Sequence, residues 1–228
     1  MKYDLAASVA HMDIGHLMEE VKNLEAQGIS SFHVDIMDGR FVPNFSMSLN
    51  DLRCVAKYAT KPIDLHLMIE QPCNQIELFI SCLRKGDTVY IHPEAEYHPS
   101  TTLQKIIDAG LVPGIAINPG TSVETIMEML NIVDKVLIMS VNPGEEESLY
   151  RDSIQKKLTK LISLKEKMTF DIFIDGAVTK EKIESLGPKG VDGFVIEDFD
   201  IINDQEAVTV TTWNNFSLAV DKKTKEIV

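Results

Sequence analysis

A short segment of the chain, residues 33–44, combines metal-binding side chains with a pattern that favours a β-strand. His33 and Asp35 are two positions apart in the run His-Val-Asp-Ile-Met. Because alternate residues of a strand point to the same face, this imidazole and this carboxylate can bind one metal ion together. The carboxylate could also move a proton during a reaction. The segment therefore predicts a metal site equipped for acid–base chemistry.

Two further segments carry the same types of side chain. His66 lies in Asp-Leu-His-Leu-Met, and Asp175 lies in Phe-Ile-Asp-Gly. Taken singly, each is more often structural, and an Asp-Gly pair is usually a turn. Together with His33 and Asp35 they place four such groups at three candidate strand ends, which chance explains poorly. Two imidazoles and two carboxylates suit zinc, manganese, cobalt or iron; the set alone does not choose, and zinc is the first expectation for the single divalent ion.

These residues lie within a regular alternation of short apolar strands and amphipathic helices. The predicted strands are Tyr3–Val9, Ser31–Ile36, Pro62–Leu67, Thr88–His92, Val112–Ile117, Lys135–Ser140, Phe170–Ile174 and Gly190–Ile196. The predicted helices are Ile14–Ala26, Leu49–Tyr58, Cys73–Arg84, Thr101–Ala109, Ser122–Leu130, Asp152–Lys167, Thr179–Leu186 and Asp204–Val220. Eight strand–helix pairs predict an α/β fold, a single (β/α)8 TIM barrel over residues 1–228, since a doubly wound sheet usually has fewer strands. The tail 221–228 is expected to fray.

A barrel brings residues that are far apart in sequence to one place. The carboxyl ends of its strands meet at one face, where active sites are built. His33 and Asp35 end the second predicted strand, His66 ends the third, and Asp175 follows the seventh. We therefore expect all four side chains at the same end of the barrel.

Composition limits the kinds of molecule that the protein is expected to bind and the cell compartment in which it is expected to work. A chain of 228 residues, 44% of them hydrophobic, suits one large globular domain. Its net charge of -13 argues against nucleic acid and anionic membranes as partners. No apolar run approaches the ~20 residues that span a bilayer. Three cysteines without metal-type spacing, and no secretory signal, predict a cytoplasmic protein with reduced thiols.

The chain resembles the ribulose-phosphate 3-epimerase family from about residue 8 to residue 200. The resemblance rests on the long segment His33–Asn44 and on shorter matches at His66-Leu-Met68, His92-Pro-Glu94, Asn118-Pro-Gly-Thr121, Met139-Ser-Val-Asn-Pro-Gly144 and Asp175-Gly176. Members of this family are (β/α)8 barrels and isomerases that invert carbon 3 of a ketose phosphate. The family default is conversion of D-ribulose 5-phosphate to D-xylulose 5-phosphate in the pentose phosphate pathway.

The resemblance implies a role for each site residue. The implied metal ligands are His33, Asp35, His66 and Asp175, and the two carboxylates would also be the acid and base on opposite faces of the substrate. The implied methionine cluster over the reacting carbons is Met37, Met68 and Met139, which spacing alone would assign to the core. The implied partner is a small-molecule sugar or sugar phosphate, and the implied assembly is a homo-oligomer.

The implied reaction explains why these groups are needed together. The proton on carbon 3 is acidic because carbon 2 is a carbonyl, and a metal ion can stabilise the enediolate that forms. Inversion requires a proton donor on each face of the substrate, hence two carboxylates. No redox cofactor is required.

The chain departs from the family at the end of the site that would hold a phosphate. Glycine-rich loops of the family are replaced after Gly144 by Glu145, Glu146 and Glu147, after Gly176 by Ala177, and after the eighth strand by Glu197 and Asp198. Near the first strand, His11 stands where the family usually has a small hydroxyl residue. Carboxylates at this end would repel a dianion. A neutral or cationic substrate terminus is therefore expected to fit better than a phosphate.

Several functions remain open from the sequence. The first is metal-dependent 3-epimerisation of a ketose phosphate. The alternatives are epimerisation of a hexulose phosphate or an unphosphorylated ketose, and a catalytically weak paralogue that binds a metabolite or partner. A lyase of the phosphate-sugar type is disfavoured, because those barrels use other strand-end residues than the pair His33 and His66.

Overall fold

Eight parallel strands close into a barrel in the computed structural model, which describes residues 3–145 and 154–203. The strands are β1 (Asp4–Ser8), β2 (Ser31–Met37), β3 (Ile63–Met68), β4 (Thr88–Ile91), β5 (Val112–Ile117), β6 (Lys135–Met139), β7 (Asp171–Asp175) and β8 (Gly193–Ile196). Each strand pairs with the next along the chain, and β8 pairs with β1. The predicted (β/α)8 barrel is confirmed.

Helices on the outside connect these strands. They are α1 (Leu17–Gln27), α2 (Leu49–Tyr58), α3 (Ile76–Ile80), α4 (Pro99–Asp108), α5 (Ile154–Leu164), α6 (Lys180–Leu186) and α7 (Asp200–Asn203). Local chemistry fixes several of their ends. Ser48 and Asp51 form a reciprocal capping box at the start of α2. Gly28, at φ 92°, ends α1 in the left-handed conformation that glycine tolerates. Among the described helices, none has the length and apolar character needed to cross a bilayer.

Three predicted helices differ from the structure. The stretch Ser122–Leu130 forms two 3-10 turns, Val123–Ile126 and Met129–Asn131. Residues three apart share a face in both helix types, so the buried Val123 and Ile126 fit the tighter turn equally well. The helix predicted from Cys73 shortens to α3 and follows a third 3-10 turn, Pro72–Asn74. The helix predicted from Ile14 begins at Leu17 and follows a fourth, Ile14–His16. The predicted helix Asp204–Val220 and the tail 221–228 lie outside the described residues.

The barrel interior is a packed core below the site. Its apolar members include Tyr90, Leu137 and Phe173. A Cβ built on Gly114 would stand 2.4 Å from the Tyr90 ring, so this glycine makes room for the ring. The ring closes the space beneath His33 and His66, at 6.1 and 6.3 Å between ring centroids.

A buried ion pair lies directly below the predicted site, because Asp64 stands beside His33 in the register of β2 and β3. Asp64, near the start of β3, is 1% exposed and receives hydrogen bonds from Lys135 Nζ at 3.1 Å and Ser31 Oγ at 2.5 Å. The ammonium group also lies 4.8 Å from the centre of the Phe173 ring. Paired in this way, the carboxylate can remain charged inside the protein.

Candidate metal and proton-transfer site

The four predicted ligands come from three strands and face one another. In the register of β2 and β3, Asp35 stands directly beside His66. His33 lies two residues earlier on β2, and Asp175 is the last residue of β7. All four side chains are buried. The barrel thus brings together the residues that the sequence separates.

Nitrogen and oxygen atoms of these side chains converge on one small volume. One ligand atom from each residue lies within 4.8 Å of the others. Nε2 of His33 is 3.3 Å from Oδ1 of Asp35 and 3.7 Å from Oδ2 of Asp175. Nδ1 of His66 is 3.0 Å and 3.6 Å from the same two oxygens. A divalent ion that accepts mixed nitrogen and oxygen ligands fits this donor set.

The surroundings shift the pKa values of the two carboxyl groups in opposite directions. Burial acts to raise the pKa of Asp35, but the charge of His33 and hydrogen bonds from the histidines hold it well below its usual range. Burial raises the pKa of Asp175 to about 6; the His33 charge opposes that rise and the Asp35 charge adds to it. Burial also opposes charge on His33, yet Asp35 and Asp175 raise the pKa of this imidazole to about 9. Two carboxyl groups separated in this way can act as base and acid.

A cavity of about 540 Å³ opens above Asp35 and Asp175. Its lining includes the three predicted methionines, Met37, Met68 and Met139. The predicted residues His11, Gly144, Gly176, Ala177 and Glu197 also line it. The cavity volume is within the range of small-molecule sites.

Polar contacts lead from Asp35 to the rim of the cavity. The hydroxyl of Ser8 donates to Oδ2 of Asp35 at 3.3 Å and lies 3.3 Å from Nδ1 of His11. Nε2 of His11 lies 3.8 Å from Oε2 of Glu197. His11 therefore stands between the metal-binding end and the acidic end. Sequence reasoning missed the part that Ser8 takes in this chain.

The acidic side chains in the loops after β6 and β8 differ in orientation. Glu145 and Glu197 line the cavity, whereas the carboxylate of Asp198 accepts a hydrogen bond from the backbone N–H of Asp200. Glu146 and Glu147 lie outside the described residues. Ala177 has φ 47°, a left-handed conformation that is uncommon for residues other than glycine. Among the described residues that line the cavity there is no lysine and no arginine.

Two loop residues that the sequence did not single out also line the cavity. Phe45 follows β2 and is 75% exposed. Asn142 follows β6, and its side-chain amide donates to Oε1 of Glu145 at 2.9 Å. The available signal was their position, since Phe45 directly follows the long family match at residues 33–44 and Asn142 lies inside the shorter match at residues 139–144.

Known proteins resemble this chain over most of its length. Ribulose-phosphate 3-epimerase of Methanocaldococcus jannaschii is 35% identical over 193 residues, covering 84% of this chain and 81% of the relative. The enzyme of the same name from Aquifex aeolicus is 34% identical over 194 residues, covering 84% and 86%. That from Buchnera aphidicola is 31% identical over 230 residues, covering 99% and 95%.

Similarity to solved structures supports the fold alone. A mutant tryptophan synthase α-subunit from Pyrococcus furiosus has a TM-score of 0.60 at 13% identity, with 86% of each chain covered.

The family model described as "Ribulose-phosphate 3 epimerase family" matches residues 4–199, which include every strand of the barrel. From this match and the curated relatives, the chain belongs to the ribulose-phosphate 3-epimerase family.

Proposed function

We propose that the protein is a metal-dependent epimerase that inverts carbon 3 of a ketose phosphate, with D-ribulose 5-phosphate and D-xylulose 5-phosphate as the first pair to test. One observation carries this proposal: two buried carboxyl groups from strands that are not neighbours, Asp35 and Asp175, border the same cavity. Relatives bearing the name ribulose-phosphate 3-epimerase support it.

The two carboxyl groups would divide the proton transfer between them. Asp35, whose pKa is held low, is ionised at neutral pH and can accept the proton from carbon 3. Asp175, whose pKa is about 6, can carry a proton to the other face. In the reverse direction their roles exchange. A divalent ion held by His33, Asp35, His66 and Asp175 would supply electrostatic stabilisation of the negative charge that develops on the substrate oxygens.

The methionine side chains would protect this step from water. Met68 and Met139 are nearly fully buried, at 2% and 3% exposure, and Met37 is partly buried beside them. A thioether is soft and apolar, so it can fill space around reacting carbons without competing for a proton. These three residues would therefore shape the cavity and exclude solvent.

Isotope exchange tests the proposal directly. The protein is incubated in heavy water with D-ribulose 5-phosphate and with zinc, manganese or cobalt ions, and NMR follows the hydrogen on carbon 3. We expect deuterium to replace this hydrogen and xylulose 5-phosphate to form. Metal binding without exchange would contradict the proposal and favour a paralogue that binds a metabolite without turnover.

A ketose without a phosphate is the second candidate substrate, because acidic side chains line the cavity. Glu145 and Glu197 line it, and the described lining residues supply no lysine or arginine to balance them. The same experiment is therefore run with D-allulose 6-phosphate and with unphosphorylated ribulose and allulose. A higher kcat/KM for the unphosphorylated sugars would select this candidate, and the opposite order would reject it.

A further inference from the structure

The ring of His66 has one nitrogen at the predicted metal centre and the other against a second histidine. Nδ1 faces the carboxylate of Asp35 at 3.0 Å, and Nε2 lies 2.8 Å from Nε2 of His92. The ring centroids are 5.0 Å apart and the planes are inclined by 23°. Since the two nitrogens are much closer than the centroids, the rings meet edge to edge, as in a hydrogen bond, and do not stack face to face. His92 is fully buried.

A contact between two imidazole nitrogens needs one donor and one acceptor, which links the tautomers of the two rings. If Nδ1 of His66 presents its lone pair to a metal ion, its proton lies on Nε2 and is donated to His92. Nε2 of His92 is then the acceptor, and its own proton lies on Nδ1. That nitrogen is buried, and a carboxylate oxygen, Oε2 of Glu94, lies 3.7 Å from it.

The carboxylate of Glu94 is held in place on its other side. Its Oε1 accepts a hydrogen bond from the backbone N–H of Asn118 at 3.0 Å and another from the hydroxyl of Thr121. Burial acts to raise the pKa of Glu94, but contacts with His92 and Thr121 outweigh it and lower the pKa. An ionised, anchored carboxylate thus faces the nitrogen of His92 that would carry the proton.

We propose that His92 and Glu94 are positioning residues of the metal centre, which fix the proton of His66 on Nε2 so that Nδ1 is free to bind the metal. This inference rests on the proposed function, because it requires the metal. Partners that orient a metal-binding histidine typically change metal affinity about 10-fold to 100-fold when they are removed. Neither residue lines the cavity above Asp35, so their effect is on the ion and not on the sugar directly.

Metal affinity of the purified, metal-free protein tests this role. Cobalt or zinc is titrated in competition with a chelator of known affinity, and the visible spectrum of the cobalt form reports its coordination. His92→Phe keeps a ring of similar size but removes the acceptor, and we expect affinity to fall about 10-fold to 100-fold. His92→Gln can place an amide oxygen near the lost nitrogen, so we expect it to recover most of the affinity. Glu94→Gln is expected to lie between the two.

The controls separate positioning from folding. His98→Gln changes an exposed histidine at the start of α4 and is expected to leave affinity unchanged. Thermal unfolding of each metal-free variant shows whether the barrel is intact. Equal metal affinity in His92→Phe and the original protein overturns the inference, as does an equal loss in His92→Phe and His92→Gln, which would indicate packing. If the original protein binds no metal, the proposed function fails first, and this inference fails with it.

Discussion

The carboxylate of Asp198 accepts a hydrogen bond from the backbone N–H of Asp200 over 3.0 Å, at the first residue of α7. In barrels of this class, a phosphate commonly binds at the loops after the seventh and eighth strands and at the start of a short helix. Here an amide at that helix start already has an anionic partner from the chain itself. The neighbouring Glu197 lines the cavity. The acidic dipeptide therefore contains one carboxylate that caps a helix and one that would meet the substrate.

Replacing Glu197 by glutamine is predicted to improve binding of phosphorylated ketoses. A charge pair about 5 Å apart at an effective dielectric of 20 costs about 3 kcal/mol, and the 41% exposure of this side chain reduces the cost to about 1 kcal/mol. We expect KM for D-ribulose 5-phosphate to fall about fivefold, with no change for unphosphorylated ribulose. Glu184→Gln, which removes one exposed charge on α6 from a residue that does not line the cavity, is the matched control and should leave both values unchanged. An equal change for both sugars would show that Glu197 does not act through the phosphate.

Single carboxamide variants are predicted to separate isotope exchange from inversion. In Asp175→Asn, Asp35 can still remove the proton from one epimer and return a deuteron to the same face. Asp35→Asn should show the same behaviour with the other epimer. We expect epimerisation to fall by about 10²-fold to 10⁴-fold in each variant, measured by NMR in heavy water at saturating metal. Metal affinity should also fall, since the same oxygens serve both tasks. Full turnover in Asp35→Asn would exclude the two-carboxylate mechanism.

Metal binding is predicted to release a proton and to strengthen with pH. The pKa of His33 is raised to about 9, so this ligand is protonated at pH 7 and must lose its proton to bind an ion. Asp175, with a pKa of about 6, is mostly ionised above that pH. Calorimetry with manganese in buffers of different ionisation enthalpy should therefore detect about one proton released at pH 7, and affinity should rise about tenfold per unit between pH 7 and 8.5. An affinity that is flat across this interval would contradict the assignment of His33 as a ligand.

Removing Lys135 is predicted to lower the stability of the fold. Lys135→Met leaves the buried carboxylate of Asp64 without its cation, and we expect the free energy of unfolding in urea to fall by about 3 kcal/mol. Burial opposes ionisation of Asp64, but Lys135 and Ser31 outweigh it and lower its pKa. The stabilisation is therefore present at neutral pH and is lost as the pH falls through the lowered pKa.

The double variant Asp64→Asn with Lys135→Met is the control for this prediction. It removes both charges, so its loss of stability should be less than half that of Lys135→Met alone. Metal affinity is measured in both proteins as well, because Asp64 stands beside His33 and its charge adds to the rise of the His33 pKa. An equal loss of stability in the single and the double variant would contradict the prediction, because the cost would then not come from an unpaired buried charge.

The fold and the ligand cluster could be predicted because they follow from regular patterns. Short apolar strands and amphipathic helices alternate along the chain, and a barrel places all carboxyl ends of its strands at one face. The predicted family is confirmed, and with it the enzyme class, an isomerase of the epimerase type. The metal, the roles of the site residues, the homo-oligomer and the cytoplasmic location stay predictions.

The direction of loop side chains, and the contacts between side chains on neighbouring strands, could not be predicted in the same way. The sequence contains His92-Pro-Glu94 as a motif, but the contact of His92 with His66 depends on the β3–β4 register, which pairs His66 with Tyr90. The direction of Asp198 is set by a single backbone turn after β8. A pattern of polar and apolar residues specifies neither the register nor that turn.

The arrangement of the ligands over the strands bears on how the barrel holds together. Two of the strands that carry ligands, β2 and β3, are neighbours near the start of the chain. The third, β7, lies near its end and is separated from β2 in the ring by β8 and β1. A bound ion would thus bridge the junction at which the first and last strands of the ring meet. Each tenfold rise of free metal above its dissociation constant would add about 1.4 kcal/mol to the closed state. Metal supply would then affect the stability of the folded enzyme as well as its activity.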